Sequence, residues 1–325
     1  MARHRTTICL VATALVALGS GACSLLFAPN EDQCTKDGDC IARGAGFESM
    51  RCSADSVCVS TVVGVDASAD ASADAADSAN DPFACANLPA PSPDPSKQLD
   101  MSMRYTDFST GAPPQNTLVR LCAATDPNCD NARPTLEGSG PGDAGPEGGL
   151  GWVTPRADGT VSTKIELGFE GFFEARATQY PPTFRSTSPA LRNPTNVFEQ
   201  LLLRPLEIKF LADEALGMPG SYHSTTHGLV FVFARDCLQQ PIPGASFTTS
   251  AVDPLLQLFY VINSAPSITD TKSDSLGRGG FINTPPGIHT FTAFMGEGDQ
   301  KKRIGSGRVL VRVGAATTIA VAPSQ

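Results

Sequence analysis

The chain has 325 residues, ten cysteines and a formal net charge of −9, from 33 acidic against 24 basic side chains. An acidic chain whose lysines and arginines are dispersed is a poor match for nucleic acid or for an anionic membrane surface, so no nucleic-acid partner is expected. With 30 Gly and 26 Pro, above average usage, and Thr, Val and Phe gathered in short runs, the composition points to an all-β, turn-rich protein.

Arg3 and Arg5 open the chain as a short basic segment, and Ile8 to Leu18 follow as an apolar run. That run is too short to span a bilayer as a helix, has the length of a signal-peptide core, and is followed by no stop-transfer pattern. Residues 1–22 therefore read as a secretory signal whose removal leaves a more acidic chain. The remainder, about 300 residues, carries a soft prior of two domains.

Gly21-Ala22-Cys23 resembles the bacterial lipobox, in which the cysteine is lipid-modified and becomes the first residue. Ser20-Gly21-Ala22 also suits ordinary secretion, which leaves a periplasmic or secreted protein as the alternative. Cysteine parity favours the anchor: with Cys9 removed in the signal and Cys23 lipidated, an even number remains to pair. In the lipoprotein family an Asp after the cysteine is the usual inner-membrane retention signal. Ser24 stands here, so the resemblance implies a lipid-anchored outer-membrane or cell-surface location.

Residues 23–60 hold the anchor site and a cysteine-rich module with Cys34, Cys40, Cys52 and Cys58. So short a segment cannot bury a useful core and needs covalent staples. A zinc site is disfavoured by the absence of knuckle spacing and of His, so disulfides are expected, with connectivity open. The module is similar to the short cysteine-rich segment that follows the anchor in lipoproteins of myxobacterial type. Residues 61–98 then read as a disordered linker. Asp66, Asp70, Asp74 and Asp77 repel one another in an Ala/Ser tract, and a stiffer Pro-rich piece continues from Leu88 to Lys97.

A first β-sandwich domain is expected over 99–220. Leu99, Met101, Met103 and Tyr105 alternate as a half-buried strand, and 117–123 form a second. The Gly/Pro-rich stretch 138–151 is a surface loop, and Trp152 fills a core or edge. Val161, Thr163, Ile165 and Leu167 share one face of a strand, and a further strand runs from Gly171 to Pro181-Pro182. The one connecting helix is expected over 205–216, with Pro205 in its first turn, a stripe of Ile208, Leu211, Ala212 and Ala215, and Gly217 as its cap.

A second sandwich is expected over 221–325. Its strands follow one another at 227–237, 246–249, around 255–264, through Phe281, along Ile288, Thr290, Thr292 and Phe294, and in a closing pair built on Val309, Val311 and Val313, then Thr317, Ile319 and Val321. The order Pro-Gly-Ala before a strand (243–245), Thr269-Asp270 leading to Gly280-Phe281, Pro285-Pro286-Gly287 and the hairpin 307–321 resembles the carboxypeptidase regulatory-like family. Residues 99–186 are similar in outline. The resemblance implies tandem transthyretin-like β-sandwich domains in a mainly β fold, and a non-catalytic accessory or binding role with no catalytic residues to carry over.

Chemistry-bearing residues are few. His223 and His227 have the i, i+4 spacing of a metalloprotease helix but lack the Glu of H-E-x-x-H, in a Gly/Ser/Thr-rich stretch. They define the alternative of a secreted or anchored hydrolase, possible metal assistance included, whereas His289 alternates along a strand. No metal site, cofactor or catalytic residue is otherwise assigned. Cys122 and Cys129 are near enough for a local disulfide, which would leave Cys85 for Cys237, and the pairing stays open. The expected function is non-catalytic binding at the membrane surface, with loops 138–151 and 267–279 facing a protein or glycan partner.

Overall fold

The computed structural model describes residues 35, 36, 38, 50–52, 58–60, 82–86, 88, 91–133, 136–141, 151–188, 197–217, 220–263 and 265–323. The chain forms two compact units, Met1–Ala73 and Asp74–Gln325. In the first, β1 (Met50–Cys52) and β2 (Cys58–Ser60) pair as an antiparallel hairpin whose register sets Cys52 opposite Cys58.

The second unit is mainly β. Its elements are β3 (Asp94–Asp107), β4 (Leu118–Ala123), β5 (Leu136–Glu137), β6 (Gly140–Pro141), β7 (Val153–Thr154), β8 (Thr160–Leu167), β9 (Gly171–Arg176), β10 (Thr183–Ser186) and β11 (Val197–Leu202). After these come α1 (Pro205–Leu216), β12 (Gly228–Ala234), β13 (Ser246–Thr249), β14 (Gln257–Ile262), β15 (Ala265–Ser267), β16 (Arg278–Thr284), β17 (Gly287–Met295), β18 (Lys302–Val311) and β19 (Ala316–Val321). One ten-stranded sheet runs β15-β14-β16-β12-β19-β10-β9-β4-β7-β6, accompanied by a four-stranded sheet β11-β3-β8-β5 and a three-stranded sheet β13-β17-β18.

These sheets make two sandwich halves. In the first, Met101, Met103 and Tyr105 of β3 meet Val119 and Leu121 of β4, Val161 and Ile165 of β8 and Phe173 of β9. In the second, Val230, Val232 and Ala234 of β12 meet Phe247, Phe291, Ala293, Val309 and Val311 of the three-stranded sheet. The halves are not strung on a linker. β10 and β12 both pair in parallel with β19, so one sheet passes through the expected boundary at 220/221. β12 is buried on both faces: Val230 and Val232 face the second core, while Leu229 joins the cluster under α1. A strand covered on both sides reads as the continuous apolar run Leu229 to Ala234 rather than as an alternation.

The helix spans the residues expected of it. Glu207 takes the Arg204 backbone N–H at 2.6 Å, and Gly217 closes the far end in the left-handed region at φ 62°. Its buried stripe, Ile208, Ala212 and Ala215, lies on Leu229, Phe259, Ile282 and Ala316 of the second half, although the helix was grouped with the first.

Four other features depart from the sequence expectation. Two parts of the stretch read as linker, 82–86 and 94–98, are built into the fold, while 61–81 lie outside the described residues. Prolines 91, 93 and 95 favour the extended backbone from which β3 starts, and Phe83 packs on the second core. The strand expected from Gly171 to Pro181-Pro182 stops at Arg176, and after a turn with Gln179 at φ 74° a second, antiparallel strand, β10, starts at Thr183. β11 had no sequence signal beyond the apolar run 201–203, because an edge strand paired only to β3 needs no strict alternation. On β17 the buried face is Phe291 and Ala293, and Ile288 is largely exposed, so the inward register is the other one of the two.

Candidate functional site

Of the cysteines singled out, Cys23, Cys34 and Cys40 lie outside the described residues, and Cys52 and Cys58 are placed only by their backbone register. Cys85 and Cys237 are joined by a disulfide with Cα atoms 5.6 Å apart, and so are Cys122 and Cys129 at 5.3 Å. The first bond ties the turn at 82–86 to the end of β12, and Cys237 N–H donates to Pro82 O at 2.8 Å alongside it. The second closes a seven-residue excursion from the end of β4.

His223 and His227 do not lie on a helix. They bracket a tight turn in which the His227 N–H donates to His223 O at 2.9 Å, and their ring centroids are 6.1 Å apart. Asn283, buried and at φ 54°, pins the approach to this turn. Its side-chain oxygen accepts the His223 N–H, and its amide donates to Ser221 O, each at 2.8 Å. His227 is buried, with Nε2 at 3.3 Å from Asp253 Oδ2 and Nδ1 at 2.8 Å from Thr226 Oγ1. The Asp253 carboxyl is held below its ordinary range by the Leu255 N–H and then by His227. A hydroxyl, an imidazole and a carboxylate thus stand in a row able to pass a proton, and the same row ties the turn to the β13–β14 loop. Among the described residues no three His, Cys, Asp or Glu side chains are grouped to hold a metal ion. His289 is tied down by a 2.9 Å contact from Nε2 to Pro285 O.

Trp152 is buried, and two arginines lie over its ring. The Arg120 and Arg176 guanidinium groups lie over its ring at 4.6 and 5.4 Å, and both bind Glu174. No sequence pattern announced this cluster, since its members come from β4, β9 and the residue just before β7 and meet only through strand pairing.

A second ionic knot sits at the end of β3. The Asp107 carboxylate accepts the Thr110 N–H at 2.7 Å, pairs with Arg204 at 2.9 Å and accepts the Tyr180 hydroxyl. Burial alone would raise this carboxyl, but the hydrogen bonds from Tyr180 and Thr110 and the Arg204 charge outweigh it, leaving the group below its ordinary 3.8. A carboxyl depressed in the folded state stabilises fully above its unfolded pKa, and that contribution is lost as pH falls through the folded value. Acid titration of unfolding should therefore show wild type losing more stability than Asp107→Asn as pH falls below about 4. Parallel curves for the two proteins in that window would contradict the assignment.

Of the two loops expected to face a partner, 142–150 lie outside the described residues. The other, 267–279, is exposed at its tip, where Ser267 Oγ donates to Asp270 Oδ2 at 2.5 Å. It is anchored at Ser273, which is buried and exchanges backbone bonds with the strand lead-in at Gly244 and Ala245. No helix among the described residues is long and apolar enough to cross a membrane.

No family model and no curated protein matches the chain. Among solved structures it is similar to the Bacillus anthracis TIE protein (10% identity, TM-score 0.21, covering 70% of this chain and 34% of that one). It also aligns with a shaft pilin of Lactobacillus rhamnosus GG (11% identity, TM-score 0.20, 70% and 98% covered) and with the major pilin subunit of Bacillus cereus (10%, 0.21, 70% and 100%). The chain thus spans about a third of the first of these proteins. Superposition at this level identifies no shared function.

Proposed function

We propose that the protein is a non-catalytic binding and structural component of the outer membrane or cell surface, anchored through lipid on Cys23. The observation that carries this reading is the pair of disulfides, Cys85–Cys237 and Cys122–Cys129, because such bonds form and persist in oxidising compartments outside the cytoplasm. An exported chain fits a signal over residues 1–22, and the lipobox-like Gly21-Ala22-Cys23 supplies the means of retention. The cross-linked body is suited to holding loops in place, and the exposed tip of 267–279 presents hydroxyl and carboxylate groups to a protein or glycan. The alternative, a hydrolase using His223 and His227, draws support from the Thr226–His227–Asp253 row.

Intact mass of the mature protein, purified from its native membrane without reductant, tests the reading. The expected result is a chain starting at Cys23 with added acyl mass and no free thiol. An unmodified start or a stranded thiol would remove the anchor. Bound metal in the same sample, lost in His223→Ala, would favour the hydrolase.

A further inference from the structure

Between the two sheets of the first half lie buried side-chain polar atoms that make no hydrogen bond among the described residues. The Tyr105 hydroxyl and the Gln200 side-chain oxygen are both occluded and make no hydrogen bond. Tyr105 and Gln200 stand opposite each other in the β3–β11 register, and the Gln200 amide donates to Thr318 Oγ1 of β19 at 3.2 Å. Thr318 is in turn the register partner of Arg185 on β10. Arg185 therefore enters the same layer, and its guanidinium carbon reaches Phe198, the β11 residue two before Gln200, at 5.3 Å from the ring centroid.

Arg185 is unusual in this chain. It is only 8% exposed, and among the described residues no hydrogen bond or carboxylate engages it. Its guanidinium carbon lies over the Phe198 ring at 5.3 Å and the Phe233 ring at 5.7 Å. Aromatic rings occupy the faces of a guanidinium and leave its N–H groups, which lie in the plane, available. Burial, reinforced by the charge of Arg235, presses its pKa down to about 10. Arg235 also lies over Phe233, at 5.6 Å, and Arg278 adds a third guanidinium whose Nε is buried without a partner among the described residues. Two carboxylates accompany them, Asp236 beside Arg235 and Asp274 at 3.4 Å from Arg278, so the cluster retains a net positive charge.

A buried guanidinium with no anion among the described residues is costly, and an unsatisfied buried hydroxyl in the same layer adds to that cost. Both are relieved by one group: a planar oxyanion that accepts two N–H bonds from Arg185 and the O–H of Tyr105. We propose that Arg185 and Tyr105 form a binding site for a single carboxylate, carried by a small organic acid or by a uronate sugar, with Arg235 and Arg278 supplying the attracting field. This goes beyond the surface-binding role proposed above, because it depends neither on the anchor nor on the end loops.

The test is thermal unfolding of the full chain with sodium acetate or sodium glucuronate, against sodium chloride at equal ionic strength. A ligand at a hundredfold excess over its dissociation constant should raise Tm by roughly 5 to 10 °C, with saturation. Arg185→Met should abolish the rise. Tyr105→Phe, which keeps the core volume, should weaken binding about tenfold and keeps the test open if the first variant does not fold. A rise with both salts assigns the site to any small carboxylate, and a rise with glucuronate alone assigns it to the sugar. No saturable rise with either, or an equal rise in Arg185→Met, overturns the proposal.

Discussion

Replacing Cys85 and Cys237 together by alanine is expected to lower the stability of the body by about 3 to 5 kcal/mol, a drop in Tm on the order of 10 °C. The bond spans 152 residues of sequence, so it removes a large share of the conformational freedom of the unfolded chain. Its loss also releases the turn at 82–86, whose Phe83 covers the second core and whose Pro82 carbonyl accepts the Cys237 N–H. The internal comparison is Cys122→Ala with Cys129→Ala. That loop spans only seven residues, and the same chain-entropy reasoning gives about 2.5 kcal/mol. Denaturant unfolding under non-reducing conditions measures both. If the short-loop pair costs as much as the long-loop pair, loop closure is not what the Cys85–Cys237 bond contributes.

Glu174→Ala should cost a comparable amount, about 3 to 5 kcal/mol, for a different reason. Glu174 is almost fully buried and receives Arg120 Nε at 2.8 Å and Nη2 at 2.6 Å on one oxygen, and Arg176 Nε at 2.8 Å on the other. Arg120 also donates to Cys129 O at 3.2 Å, which links the ionic cluster to the short disulfide loop. Removing the carboxylate takes from the Arg120 guanidinium, which lies over Trp152, the counter-charge it is paired with. Removing both sides of the pair, as Arg120→Met with Glu174→Leu, leaves less uncompensated charge and should cost less than Glu174→Ala alone. Urea midpoints at unchanged slope would show this. A double variant losing the sum of its two single losses would mean that the groups act independently and that the cluster does not work as a unit.

Much of this protein was legible in local sequence. The helix 205–216 was fixed by Pro205, its spaced apolar stripe and Gly217, all of which act within one or two turns of backbone. The β8 strand was equally readable because Val161, Thr163 and Ile165 alternate on one buried face. The alternation in β17 was visible too, but choosing which of its two faces turns inward needs the opposing sheet. Pairing among Cys85, Cys122, Cys129 and Cys237 stayed open, because proximity across 152 residues is set by the fold and not by spacing.

What the tertiary structure alone decided is how the halves join and what their polar residues do. The joint is the parallel pairing of β10 and β12 with β19, contributed by segments more than 80 residues apart in the chain. Register of that kind depends on long-range backbone hydrogen bonds, which leave no periodic trace in sequence. The same holds for Glu174 among its arginines and for Arg185 between two phenylalanines. Taken singly each reads as an ordinary charged residue on a strand, and only the stacking of one sheet on another takes it out of water and gives its charge a consequence.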